Sequence, residues 1–359
     1  MTTSRLSSLK FIVFALTPTL VLLLAAETTI RLKHFVAPGH EVNYLRSPFV
    51  SGSRVWPNPC ANEELVYSTQ LERLMPRTSD ENCFRGDHMK PQKDADEYRI
   101  VFVGGSTVQD FQSNEEMMTA QFKHVLPPRH WGKRISVVNA GQFGFNSWLI
   151  LEDYQSRVRN FSPDLVLYYE AWNEENDDPH ITSMKKAHGR TAAFTNRIHD
   201  ALYNRSELYT YLAALANTHG HWKIDVNELR RHFTSLAREV RSRGARFVFV
   251  TQVIQFPRTW KGVDTFDYQA VDALLDRLSA DRHYVYDVNE ISALNQRLAV
   301  LYTLDLCRDN DIPVINILEP IEALGETGRA EVFMDLGHLT VKGDKIVGEL
   351  IGKRLNMSD

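Results

Sequence analysis

Four short segments of this chain carry the residue types of nucleophilic catalysis. Gly104-Gly105-Ser106-Thr107 closes an apolar run and offers a hydroxyl. Asn139-Ala140-Gly141-Gln142-Phe143-Gly144-Phe145-Asn146-Ser147 is a glycine-punctuated loop able to turn a backbone N–H inward. Glu170-Ala171-Trp172-Asn173 brings a side-chain amide, and Asp335-Leu336-Gly337-His338-Leu339-Thr340 pairs an imidazole with a carboxylate. A serine hydroxyl needs a base to take its proton, the base needs a carboxylate to hold its tautomer, and a developing oxyanion needs donors. The four segments supply one of each. Every one of these residues also has a purely structural reading: Ser106 as a helix cap, Asn173 as a turn former, Asp335 as the cap of the last helix with His338 at the surface.

Apolar runs place the four segments at strand ends. Tyr98–Val103, Arg134–Asn139, Asp164–Tyr169, Ala245–Ile254 and Pro313–Ile317 read as strands buried on both faces of a parallel sheet. Helical spacing alternates with them, at Trp148, Leu151, Tyr154 and Val158, and at Leu229, Phe233, Leu236 and Val240. The second of these helices has a capping box, Asp225 with Glu228, and Gly244 at its end. Further helices are marked by Leu294, Leu298 and Leu301, and by Ile346, Val347, Leu350, Ile351 and Leu355. Such alternation predicts a doubly wound α/β domain, whose ligands bind at the carboxyl ends of the strands. Residues 174–222 break the alternation and read as a helical insertion; Pro-rich residues 32–95 read as an irregular connector.

Composition narrows the rest. The 359 residues are 43% apolar and 24% charged, which excludes disorder for most of the chain. A net charge of −4 excludes a broad nucleic-acid footprint. Three cysteines are too few for a disulfide scaffold or a Cys-rich zinc module. Arg5 and Lys10 precede the uncharged stretch Phe11–Ala26, closed by Glu27 and Arg31. It is short for a full span, which needs ~20 apolar residues. Two readings stand, a cleaved signal peptide and a retained signal-anchor, and the poor cleavage site before Glu27 favours the anchor. Basic residues on the short side place that side in the cytoplasm and the remainder outside. An oxidising compartment allows Cys60 and Cys83 to pair, while Cys307 reads as a buried hydrophobe. The acidic run Glu174, Glu175, Asp177 and Asp178, with His180 beyond, reads as a solvated loop in preference to a Ca²⁺ site. Gln252 reads equally as a pocket residue or a structural one.

Taken in order, GGS, NAGQFGFNS, EAWNE and DLGHLT resemble the four blocks of the SGNH (GDSL-type) serine hydrolases: a Gly-Asp-Ser turn, a glycine loop, a Gly-x-Asn-Asp turn and an Asp-x-x-His pair. The likeness runs over about residues 98–356. It implies a flavodoxin-like three-layer sandwich at 96–356, which the N-terminal charge and hydropathy pattern sets behind a cytoplasmic tip and signal-anchor helix at 1–31. It also implies Ser106 as nucleophile, His338 as base and Asp335 as its orienter. Gly144 and Asn173 would join the Ser106 N–H in the oxyanion hole, Gly144 in preference to Gly141 because it keeps the spacing from Asn139-Ala140. No metal or organic cofactor is implied. Two departures stand out: Gly105 replaces the aspartate, and Trp172-Asn173-Glu174 replaces Gly-Asn-Asp. The α/β-hydrolase elbow G-x-S-x-G is absent, since residue 108 is Val. The expectation is an anchored extracytoplasmic serine esterase acting on an ester or O-acyl group, with an envelope or secreted polysaccharide as the candidate carrier of that group. The alternatives are an O-acyltransferase using the same triad and a non-catalytic envelope scaffold.

Overall fold

The structure is a computed structural model that describes residue 17 and residues 21–29, 63–68, 73–175, 223–256, 263–280 and 288–355. The chain divides into two compact units, Met1–Arg54 with Asp177–His221, and Val55–Asn176 with Trp222–Asp359. In the first unit residues 21–29 are helical, with Val21, Leu22, Leu23 and Leu24 exposed. Among the described residues no helix is long and apolar enough to cross a membrane. More than half of the stretch Phe11–Ala26, and the expected insertion beyond residue 175, lie outside the described residues.

The second unit opens with an antiparallel hairpin, β1 (Glu63–Ser68) and β2 (Arg73–Thr78). The main sheet follows. Its strands are β3 (Arg85–Gly86), β4 (Glu97–Gly104), β5 (Arg129–His130), β6 (Lys133–Asn139), β7 (Leu165–Tyr169), β8 (Arg246–Val250) and β9 (Val314–Ile315). They lie in the order β3-β6-β4-β7-β8-β9, with β5 on β6. The strands from β6 to β9 are mutually parallel, while β3 and β5 join β6 antiparallel. Numbered along the chain, the parallel set runs 2-1-3-4-5, the flavodoxin-like order whose switch point lies between its first and third strands. Those strands are β4 and β7, registered Ile100 to Leu165 through Gly104 to Tyr169. All residues of both are buried, as covered faces require.

The helices are α1 (Ser106–Gln109), α2 (Met118–His124), α3 (Ser147–Ser156), α4 (Val226–Ser242), α5 (Tyr268–Ala280), α6 (Val288–Asp309), α7 (Leu318–Glu322), α8 (Gly325–Val332) and α9 (Val341–Arg354). α2 packs on α9, α3 on α4, and α6 on α4 and α5. α4 buries Leu229, Phe233, Leu236 and Val240, the stripe expected from the spacing. Phe233 meets Tyr168, Phe247 and Phe249 at centroid distances of 5.2, 5.4 and 5.8 Å. A fully buried side chain of this kind stabilises the domain by ~1.5–3 kcal/mol and fixes α4 against β7 and β8.

Several expectations need correcting. The connector is not irregular throughout, since it holds the β1–β2 hairpin and β3. Pro76, placed inside β2 opposite Leu65, interrupts the strand pattern, and a two-stranded ladder tolerates it because both strands are edges. The fourth strand, expected over Ala245–Ile254, is regular only over Arg246–Val250; beyond it Thr251 N–H still donates to Ile315 O at 3.1 Å and Thr251 Oγ1 accepts from the Ile317 N–H at 2.8 Å. The capping box is half formed. Asp225 accepts from the N–H groups of Asn227 and Glu228, but the Glu228 carboxylate turns to Arg231 at 2.6 Å. Cys83 is disulfide-bonded and Cys307 is a buried free thiol; Cys60, the expected partner of Cys83, lies outside the described residues.

Candidate active site

Ser106 is the first residue of α1, immediately beyond β4, and is 7% exposed. It does not cap that helix: the N-cap is Gly105, with no side-chain cap. Its Oγ lies 2.8 Å from His338 Nε2, although 232 residues separate the two in sequence. His338 Nδ1 lies 2.7 Å from Asp335 Oδ2. An N–H on Nδ1 directed at that carboxylate leaves Nε2 free of a proton and able to accept from Ser106. The second oxygen of Asp335 accepts from the backbone N–H groups of Gly337 at 2.8 Å and His338 at 2.7 Å. Burial opposes charge on Asp335, but the hydrogen bond and charge of His338 and these two N–H groups outweigh it. The carboxyl is held below its ordinary pKa.

The loop bearing Asp335 and His338 is tied down at several points. Met334 N–H donates to His338 O at 2.9 Å, Gln255 N–H donates to Leu336 O at 2.8 Å, and Phe333 bridges Leu339. Thr340 caps α9 by accepting from the Gly343 N–H, so Asp335 is not the cap of that helix and His338 is turned into the site. Phe111 meets the His338 ring edge-to-face at a centroid distance of 4.8 Å. A side chain on Gly337 would stand 3.7 Å from the indole of Trp172, so this departure from the Gly-Asn-Asp pattern places a ring against the catalytic loop.

Asn173 lies in the short turn Trp172–Glu175 that follows β7. Its Nδ2 donates to Phe145 O at 3.1 Å and borders Gly105, the neighbour of Ser106. Gly144 sits between Phe143 and Phe145 with φ 71°, a conformation suited to glycine. Both flanking residues are pinned: Phe143 N–H donates to Gln109 Oε1 of α1 at 2.8 Å, and Phe145 N–H donates to Gln142 O. Gly141 is needed for close approach, since a side chain there would run into the backbone of Gln109 and the side chain of Val108. The glycine loop, the nucleophile turn and the Asn173 turn are therefore locked together.

Two residues, Glu170 and Glu174, take roles that the sequence pattern did not assign to them, and Gln252 takes one of its two expected roles. Glu170, 1% exposed at the end of β7, accepts from Gly105 N–H at 2.8 Å and Asn173 N–H at 2.7 Å. Burial pushes its carboxyl up to about 8, against the N–H groups of Asn173, Gly105 and Trp172 and with the help of the Glu174 charge. The signal was its place: a carboxylate directly after a fully apolar strand. Glu174 is half-buried and its carboxylate is engaged by the protein. It accepts from Ser147 N–H at 2.6 Å and Ser147 Oγ at 2.8 Å, at the start of α3. The Glu175 side chain, Asp177, Asp178 and His180 lie outside the described residues. Gln252 is wholly buried and structural: it accepts from Ala171 N–H at 2.7 Å and donates to Thr107 Oγ1 at 2.8 Å, bracing the nucleophile turn against the Asn173 turn.

A hydroxyl, an imidazole and a carboxylate in one hydrogen-bonded line can attack an acyl carbon and return the proton to the leaving group. No family model and no curated protein matches the sequence. The chain is similar to several solved structures. A lipase/acylhydrolase from Enterococcus faecalis is 16% identical, over 71% of this chain and 94% of that one, with a TM-score of 0.40. A GDSL-like lipase from Bacteroides thetaiotaomicron is 16% identical, over 72% and 89%, with a TM-score of 0.37. A catalytic mutant of an acetylxylan esterase from Geobacillus stearothermophilus is 12% identical, over 72% and 94%, with a TM-score of 0.43.

Proposed function

We propose that this chain is a serine esterase of the SGNH (GDSL) type that cleaves an ester or O-acyl group. The observation that carries this reading is the unbroken line from Ser106 Oγ through His338 to Asp335, at 2.8 and 2.7 Å. Ser106 Oγ attacks the acyl carbon while His338 Nε2 takes its proton. Asp335, kept ionised by its donors, holds the imidazole tautomer and stabilises the imidazolium. The Ser106 N–H, the Gly144 N–H and Asn173 Nδ2 receive the oxyanion. His338 then protonates the leaving alkoxide. Water, deprotonated by the same imidazole, clears the acyl-enzyme as a carboxylic acid and restores Ser106.

The same proposal places the second unit outside the cytoplasm, anchored by the N-terminal apolar stretch. The disulfide at Cys83 supports this, because such bonds persist in oxidising compartments. An outward-facing anchored esterase is suited to acyl groups on envelope or secreted polysaccharide. A fluorophosphonate probe tests the chemistry. Covalent capture mapped by mass to Ser106, and abolished by Ser106→Ala, is the expected result; a folded wild-type protein that resists the probe overturns the proposal.

A further inference from the structure

Glu170 takes no part in the steps above, yet it joins two of the groups that perform them. Gly104 and Tyr169 are registered partners in the sheet, so residues 105 and 170 leave it side by side. One oxygen of Glu170 accepts from the N–H of Gly105, the residue before the nucleophile. The other accepts from the N–H of Asn173, whose amide is the side-chain donor of the oxyanion hole. A side chain on Gly105 would overlap both the Glu170 carboxyl and Asn173 Nδ2. The glycine at 105 and the glutamate at 170 are thus two halves of one arrangement: the carboxyl fills the space that residue 105 leaves open.

On the reading of Ser106 as nucleophile, we infer that Glu170 is a positioning residue. Its carboxyl bridges the nucleophile turn and the Asn173 turn and sets the place of the Asn173 amide relative to Ser106. A buried carboxyl at the end of an apolar strand is costly unless hydrogen-bonded. Here both oxygens are used, and both on backbone of the site. Burial raises its pKa to about 8, a perturbation of the kind that clusters at functional sites.

The test is a double-mutant cycle with Glu170→Gln and Asn173→Ala, read by aryl-ester kinetics, the fluorophosphonate capture rate per folded molecule and melting curves. The amide introduced by Glu170→Gln would present an N–H₂ to one of the two donors and break the bridge at almost unchanged volume. The expected loss is about 10²-fold in kcat, the scale of a misplaced catalytic group, with a smaller change in KM. In the double variant the losses should not multiply, because an amide already out of place costs little to remove. Multiplying losses, or an unchanged kcat in a folded Glu170→Gln protein, would overturn the inference. Should Glu170→Gln fail to fold, Glu170→Asp, one methylene too short to span the bridge, is read by the same cycle. If the wild type itself is not captured at Ser106, the esterase reading fails and the inference falls with it. Capture that is normal in the wild type and equally normal in the Glu170 variants overturns the inference alone.

Discussion

Replacing Asn173 by alanine separates a catalytic amide from one that only holds a turn. In the folded state the variant loses the side-chain hydrogen bond from Nδ2 to Phe145 O at 3.1 Å, while its backbone N–H keeps the Glu170 carboxyl. The net stability cost of such a bond is ~0.5–1.5 kcal/mol. At ~2–4 °C per kcal/mol for a domain of this size, the melting point should fall by about 1–6 °C. The kinetic cost is of another order. A donor aimed at charge that exists only in the transition state stabilises that state selectively. Removing one costs ~2.7–4 kcal/mol, or about 10²–10³ in kcat. Steady-state hydrolysis of a short-chain aryl ester, normalised to folded protein from a melting curve, reads both numbers. A large fall in kcat with KM little changed is expected. A lowered melting point with kcat per folded molecule close to the wild type would refute the oxyanion role and leave Asn173 as a turn former.

Two further outcomes follow from the buried groups and the cysteines. Asp344 lies wholly buried in the first turn of α9, neither of its oxygens has a donor, and burial together with the facing Asp110 carboxyl raises its pKa well above the ordinary 3.8. Above that ordinary value the folded protein keeps a proton that the unfolded chain releases, so this group's contribution to stability falls as pH rises toward the raised native pKa. Asp344→Asn should therefore raise the melting point at mildly alkaline pH and lose that advantage near pH 3.8; equal melting points at both pH values would contradict the burial argument. Non-reducing peptide mass mapping should find Cys83 linked to Cys60, and reduction should lower stability by ~3 kcal/mol for a loop of this length. Two free thiols in protein from an oxidising compartment would rule the pairing out.

Strands β4, β6, β7 and β8 were legible as largely apolar runs, the form that burial on both faces imposes, whereas the strand expected over Pro313–Ile317 shrinks to Val314–Ile315, with Val314 exposed at the sheet edge. Their 2-1-3-4-5 order depends on how the crossovers pack and no local pattern records it; it came only through the resemblance, which implied a flavodoxin-like sandwich. The β1–β2 hairpin was hidden by Pro76, and β3, with two residues, is too short to leave a pattern. Within the site, Ser106, Asp335 and His338 were readable from residue type and from their places after strands and before the last helix. The structure brings those three together. Glu170 escaped because a glutamate after a strand usually faces water; its carboxyl instead takes the N–H groups of Gly105 and Asn173, in the space that a side chain at residue 105 would fill. Glu174 escaped for a related reason: an acidic run reads as a solvated face until the start of α3 is seen against it. From sequence alone Gln252 fits pocket and scaffold equally, and its two hydrogen bonds assign it to the scaffold.

The central claim is that Ser106 is the nucleophile. It is tested most directly by hydrolysis of a short-chain aryl ester with wild-type protein and Ser106→Ala side by side, each checked for folding by its melting curve. The hydroxyl is buried, engaged with His338 and outside the helix cap, so its removal should leave the fold intact. The expected result is an active wild type and a folded variant whose kcat/KM is lower by at least about 10³-fold, the scale on which loss of a triad nucleophile acts. A folded Ser106→Ala protein that keeps most of the wild-type rate would contradict the account.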